Sequence, residues 1–118
     1  MRQPTIYHNP RCSKSRATLE LIVARGFSPR VIEYLSNPPS VSEVDRLLAM
    51  LGLEPRALMR TDENEYRDLG LADPGLTHEQ LVAAIAANPR LLQRPIVVVG
   101  NKAAIGRPPE AVLAILPD

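Results

Sequence analysis

The rhythm of apolar and polar positions changes several times along the chain. Thr5 to His8 (TIYH) is β-branched and aromatic and ends at Asn9-Pro10, which predicts a short strand running into a turn. From Ser13 onward Ala17, Leu19, Leu21, Ile22 and Val23 sit in a polar frame that stops at Arg25-Gly26, the pattern of a helix closed by a glycine C-cap. Arg30 to Leu35 (RVIEYL) alternates and meets the breaker Ser36-Asn37-Pro38-Pro39, so it reads as a second strand completing a β-α-β unit.

The middle of the chain is helical in pattern. Ser40 with Glu43, and Thr77 with Gln80, are spaced as capping boxes, each followed by a helical run; PRALMR and ENEYRDLGL between them read as shorter helical pieces. After Asn88-Pro89 the strand pattern returns. Pro95 to Val99 (PIVVV), the turn pair Gly100-Asn101 and Lys102 to Ile105 (KAAI) predict a hairpin, and a last helix is expected over Pro109 to Leu116. The expected fold class is therefore α/β, a thioredoxin-like β-α-β and β-β-α core with a helical insertion. As one domain of 118 residues, its core would be residues 1–36 and 89–118, and its insertion residues 37–88.

Composition narrows what such a domain does. Hydrophobic residues at 45% with charged residues at 23% are globular values, which argues against disorder. A net charge of +1, no Trp and a single Phe, Phe27, leave neither the basic footprint nor the stacking groups of a nucleic-acid binder. No run approaches a membrane span and the N-terminus has no signal-like apolar stretch, so neither membrane nor nucleic acid is an expected partner, and the expected location is cytoplasmic.

The lone cysteine carries the sharpest chemical signal. In YHNPRCSKSR, Cys12 is placed at the start of the first predicted helix and flanked by His8, Arg11, Lys14 and Arg16. Helix N–H groups and nearby cations stabilise a thiolate, and the same N–H groups suit a tetrahedral oxyanion beside the sulfur. A packed structural thiol would favour apolar neighbours instead. The Ser15 hydroxyl is within reach to donate to the sulfur, and His8 is a candidate for tuning it. A phosphatase-type loop is excluded because Thr18 stands where the arginine would be, and Ser15 occupies the second cysteine position of a C-x-x-C pair. His8 and His78 lie in no metal-ligand spacing, so no metal is expected.

YHNPRCSKSR, RALMR, QRPIVV and IGRPPE together resemble the glutaredoxin-dependent arsenate reductases over essentially the whole chain. The resemblance implies Cys12 as catalytic nucleophile, Arg60, Arg94 and Arg107 as oxyanion-binding residues, and His8 and Ser15 as groups that tune the thiolate. It also matches Arg94-Pro95 to the place where thioredoxin-like folds carry a cis-proline. It implies arsenate as substrate, glutathione as co-substrate, glutaredoxin as partner and no bound cofactor. Two other classes remain open: a monothiol oxidoreductase with a different substrate, since fold and thiol would serve either, and a non-catalytic thioredoxin-fold regulatory binding module.

Overall fold

The chain up to Asn37 and the chain from Arg94 onward form one compact unit, and Pro38–Gln93 forms a second; the structure, a computed structural model, describes residues 3–117. In the first unit, β1 (Thr5–His8) pairs in parallel with β2 (Arg30–Glu33) and antiparallel with β3 (Ile96–Val99). The hairpin partner β4 (Lys102–Ile105) completes a four-stranded sheet in the order β2-β1-β3-β4. The parallel pair is joined through α1 (Ser13–Ala24), because a parallel partner cannot be reached by a tight turn.

Register explains the core of this unit. Ile6 lies opposite Val97, and Val99 follows two positions along on the same face. Ile22 of α1 and Val112 of the C-terminal segment bury against these three, with Leu19, Leu21, Phe27, Ala104, Ile115 and Leu116 around them. Each fully buried aliphatic side chain contributes roughly 1.5–3 kcal/mol relative to exposure.

Three boundaries differ from the sequence pattern for local reasons. β2 stops at Glu33, since its carbonyl is captured by the N–H groups of Ser36 (3.0 Å) and Asn37 (2.9 Å), and Tyr34 turns inward to near-complete burial. β3 begins at Ile96, one residue after Pro95, which has no N–H to give a ladder. The last helix is a 3₁₀ segment, Pro109–Ala114, confined between Pro108-Pro109 and Pro117 where too few residues remain to propagate an α-helix. The Arg94-Pro95 peptide is cis, as the resemblance implies, and so is Arg107-Pro108. The β3–β4 turn has Gly100 at φ 62, while Asn101 stays out of the positive-φ region, the glycine-first form of a two-residue hairpin turn.

The second unit is helical. α2 (Val41–Leu51) and α4 (His78–Ala87) both start in complete capping boxes, Ser40/Glu43 and Thr77/Gln80. The short α3 (Asn64–Asp68) and 3₁₀ segments at Pro55–Leu58 and Pro89–Leu91 fill the remainder. Val44, Leu47, Leu81, Val82 and Ile85 are buried, and His78 Nε2 reaches Asp45 Oδ1 at 2.8 Å between α4 and α2. An antiparallel bridge joins Met59 to Leu92, with Arg60 N–H on the Leu91 carbonyl at 2.6 Å and Gln93 N–H on that of Leu58 at 2.8 Å. Among the described residues no helix is long and apolar enough to cross a membrane.

Gly106, between β4 and the last segment, is placed by close approach. A Cβ there would stand 2.5 Å from Thr18 Oγ1 and 2.8 Å from Pro95 Cγ, and its N–H donates to the Pro95 carbonyl at 2.9 Å. The prediction is that Gly106→Ala destabilises the fold by about 1–3 kcal/mol, the scale of overpacking. A lowered chemical-denaturation midpoint with unchanged m-value checks it; an unchanged midpoint would mean that α1 and Pro95 yield without strain.

Candidate active site

Asn9-Pro10-Arg11-Cys12 is a β-turn closed by Cys12 N–H donating to the Asn9 carbonyl at 3.0 Å. Proline presets the second position of such a turn, and the Asn9 side chain accepts from Arg11 N–H at 3.0 Å, the Asx arrangement that favours asparagine at its start. The turn delivers Cys12 as the N-cap of α1 with extended backbone, and its carbonyl then takes the N–H of Arg16. The sulfur makes no ideal cap bond, yet it lies over the first helical turn.

The half-buried sulfur is pulled in two directions. Burial pushes the Cys12 thiol pKa up, but the N–H groups of Ser15 and Lys14 and the guanidinium of Arg94 outweigh it, and the net shift is downward. Arg107 adds a second guanidinium, with Nη2 3.9 Å from Sγ. Its fork is oriented by Nε donating to the Arg94 carbonyl at 2.8 Å. Two arginines separated by the whole β3–β4 hairpin thus converge on one sulfur at a helix N-terminus. Their donors and the helix N–H groups suit a tetrahedral oxyanion bonded to that sulfur.

His8 and Ser15 are brought together. Ser15 Oγ lies 2.6 Å from His8 Nδ1 and accepts from Asn9 N–H at 3.0 Å, with both side chains buried. The Ser15 hydroxyl donates to Nδ1 or accepts from it according to the tautomer of the neutral His8 ring. Burial pushes the His8 pKa down, only partly offset by Glu33, so the neutral ring is favoured at pH 7. The sequence suggested that the Ser15 hydroxyl would serve the thiolate; instead the hydroxyl braces the end of β1, and the main-chain N–H of Ser15 faces the sulfur. Arg16 is tied to the Pro10 carbonyl at 2.9 Å, closing the loop from outside.

Arg60 lies in the helical unit, where its guanidinium is paired with Asp62 (3.7 Å) and Glu63 (3.5 Å). Glu63 also receives Arg90 at 3.3 Å. Among the described residues no group of three or more His, Cys, Asp or Glu side chains is arranged to hold a metal ion. One residue near the sulfur escaped the sequence reading. Tyr34, 1% exposed, carries its hydroxyl beside the Arg94 guanidinium and the Asn9 side chain. As part of RVIEYL it looked like an ordinary strand residue, and nothing local in the sequence marks it.

Comparison with known proteins gives a consistent setting. Residues 7–115 match the model of the ArsC family. The uncharacterized protein YfgD of Escherichia coli K12 is 50% identical over 116 residues, 98% of each chain. An arsenate reductase of Neisseria meningitidis serogroup B is 48% identical over 112 residues, covering 94% of this chain and 96% of that one. The solved structure of an arsenate reductase from Vibrio cholerae superimposes with a TM-score of 0.95 at 52% identity over 98% of each chain.

The site geometry predicts that Cys12 is alkylated by iodoacetamide with a pH midpoint below the free-thiol value of ~8.5. The sign follows from the cause: a lowered pKa keeps the thiolate populated at lower pH, and reactivity is lost as pH falls through that lowered value. Arg94→Ala should move the midpoint upward by removing a stabilising cation. A wild-type midpoint at or above ~8.5 would contradict the thiolate stabilisation.

Proposed function

The chain belongs to the ArsC family, and from that premise we propose that it is an arsenate reductase that works through Cys12 with glutathione and glutaredoxin. The observation that carries the reading is the convergence of Arg94 and Arg107 on the Cys12 sulfur at the N-terminus of α1. A thiol used only for disulfide exchange has no need of two guanidinium groups, whereas an arsenate-bearing sulfur has three oxygens to neutralise.

In the proposed reaction the Cys12 thiolate attacks arsenic(V). A sulfur–arsenic bond forms and one arsenate oxygen leaves as water after protonation, with the arginines and helix N–H groups balancing the remaining oxyanion charge. A glutathione thiolate then attacks the Cys12 sulfur. The electron pair of the sulfur–arsenic bond stays with arsenic, which departs as arsenite, and Cys12 is left in a mixed disulfide with glutathione. Cys12 is the only cysteine of the chain, so resolution requires an external thiol, the role assigned to glutaredoxin. No bound cofactor enters this sequence. Arg60 is assigned a share of the oxyanion charge on the resemblance of RALMR alone. Reduction of cytoplasmic arsenate is the physiological role proposed.

The test is arsenate-dependent NADPH consumption in the presence of glutathione, glutathione reductase and glutaredoxin. Turnover is expected to require both arsenate and glutaredoxin. Cys12→Ser is expected to abolish it with the circular-dichroism spectrum unchanged, and Arg107→Ala to lower it by about 10²-fold, the scale for removing one donor from a charge-stabilising site. Arg60→Ala measured beside it tests that residue's share. Disulfide reduction that proceeds without arsenate and survives Arg107→Ala would assign the protein to the monothiol oxidoreductases instead.

A further inference from the structure

Thr18 stands at the place a phosphatase-type loop gives to arginine, and the proposed reaction leaves it without a role. It is a polar residue with 0% exposure, set in α1. Its hydroxyl donates to the Lys14 carbonyl at 2.8 Å, a carbonyl that regular helix geometry also pairs with the Thr18 N–H. Threonines inside helices often make this bond, and for the helix alone it has little value. The distinguishing feature here is the other end of the peptide that the hydroxyl touches.

The Lys14 carbonyl and the Ser15 N–H belong to one planar peptide group. Cys12 is the N-cap of α1, so Ser15 is the third helical residue, whose N–H an N-cap side chain faces. That N–H helps to hold the Cys12 thiolate. A hydrogen bond accepted by the carbonyl polarises the peptide and makes its N–H a stronger donor, most effectively where water is excluded. Packing keeps the hydroxyl in this use. Threonine is restricted at χ1 in a helix, and Gly106 closes the space beside it: a Cβ there would stand 2.5 Å from Thr18 Oγ1 and 3.1 Å from Cγ2. The Gly106 N–H is itself tied to the Pro95 carbonyl at 2.9 Å.

We infer that Thr18 is a positioning residue: its buried hydroxyl, bonded to the Lys14 carbonyl, orients and polarises the Lys14–Ser15 peptide so that the Ser15 N–H bears on the Cys12 sulfur. The inference concerns the thiolate and does not rest on arsenate as substrate. The test is the pH midpoint of Cys12 alkylation by iodoacetamide in Thr18→Val, which keeps the branched shape, and Thr18→Ser, which keeps the hydroxyl. Thr18→Val is expected to raise the midpoint by about 0.3 pH unit or more, because a weaker donor stabilises the thiolate less. Thr18→Ser should stay at the wild-type midpoint even though losing a buried methyl lowers its melting temperature. The Ser15 amide proton resonance should move upfield in Thr18→Val and not in Thr18→Ser.

The rise must also persist in an Arg94→Ala background, since the route through the peptide is independent of the guanidinium. An unchanged midpoint in Thr18→Val would overturn the assignment. So would an equal rise in Thr18→Ser, which would make methyl packing against Gly106 the cause. A rise that disappears with Arg94→Ala would overturn it too, by showing that Thr18 acts through the Gly106–Pro95 corner on the placement of the arginine. Thr18→Ala lacks the hydroxyl and demands no extra space, so it decides the same question if valine does not fit: a raised midpoint supports the role and a wild-type midpoint removes it.

Discussion

Keeping a half-buried sulfur negatively charged is the constraint around which the first unit is arranged. Withdrawal from water favours the neutral thiol, and water is partly replaced here by fixed donors: the opening N–H groups of α1 and the guanidinium of Arg94. Both depend on the Asn9–Cys12 turn, since the bond from Cys12 N–H to the Asn9 carbonyl decides where the helix begins relative to the sheet. Starting α1 one residue later would turn the sulfur away by roughly 100°, as helix geometry dictates. The bracing of Asn9 by the Ser15 hydroxyl, and of that hydroxyl by His8, makes sense in these terms. These two residues hold the turn that holds the thiol.

The arginines reach the sulfur by a different route. Arg94 directly precedes Pro95 and β3, and Arg107 follows the end of β4, so antiparallel pairing of the two strands carries their outer ends to the same edge. Close approach then completes the placement. Gly106 lies against Thr18 of α1 and Pro95 with no room for a Cβ, its N–H engages the Pro95 carbonyl, and the next residue directs its Nε at the Arg94 carbonyl. The donors are therefore built on main-chain geometry, which suits charge stabilisation because little reorganisation remains for the moment of reaction. The helical unit is organised around a charge network of its own, in which Arg60 and Arg90 share Glu63.

Much of this was legible in the chain. The limits of β1 and α1, both capping boxes and the hairpin follow from short-range rules, because each depends on residues no more than four apart: a β-branched run before Asn-Pro, Ser or Thr three before Glu or Gln, a glycine at a turn. The place of Cys12 at a helix start among cations was equally local. Differences fell where a local turn or proline outweighed the hydrophobic pattern. β2 ends early because a turn captures the Glu33 carbonyl, and the last segment is 3₁₀ because prolines bound it on both sides.

Sequence by itself therefore determined the α/β class, the element order and the place of the lone thiol at a helix start, all of which rest on periodicity and on neighbours along the chain. Residue type could not nominate the arginines, since an isolated Arg is usually a solvated surface charge; resemblance of whole motifs did so. Only tertiary structure decided that Arg94 and Arg107 meet at Sγ, that the Ser15 hydroxyl turns to His8 while its N–H faces the thiol, and that Tyr34 is buried beside Asn9 and Arg94. The physical reason is common to all three. Electrostatic and hydrogen-bond contacts act over a few ångströms, and the groups that make them come from strands and loops whose adjacency is set by sheet register, a property of pairing between segments that no single segment encodes.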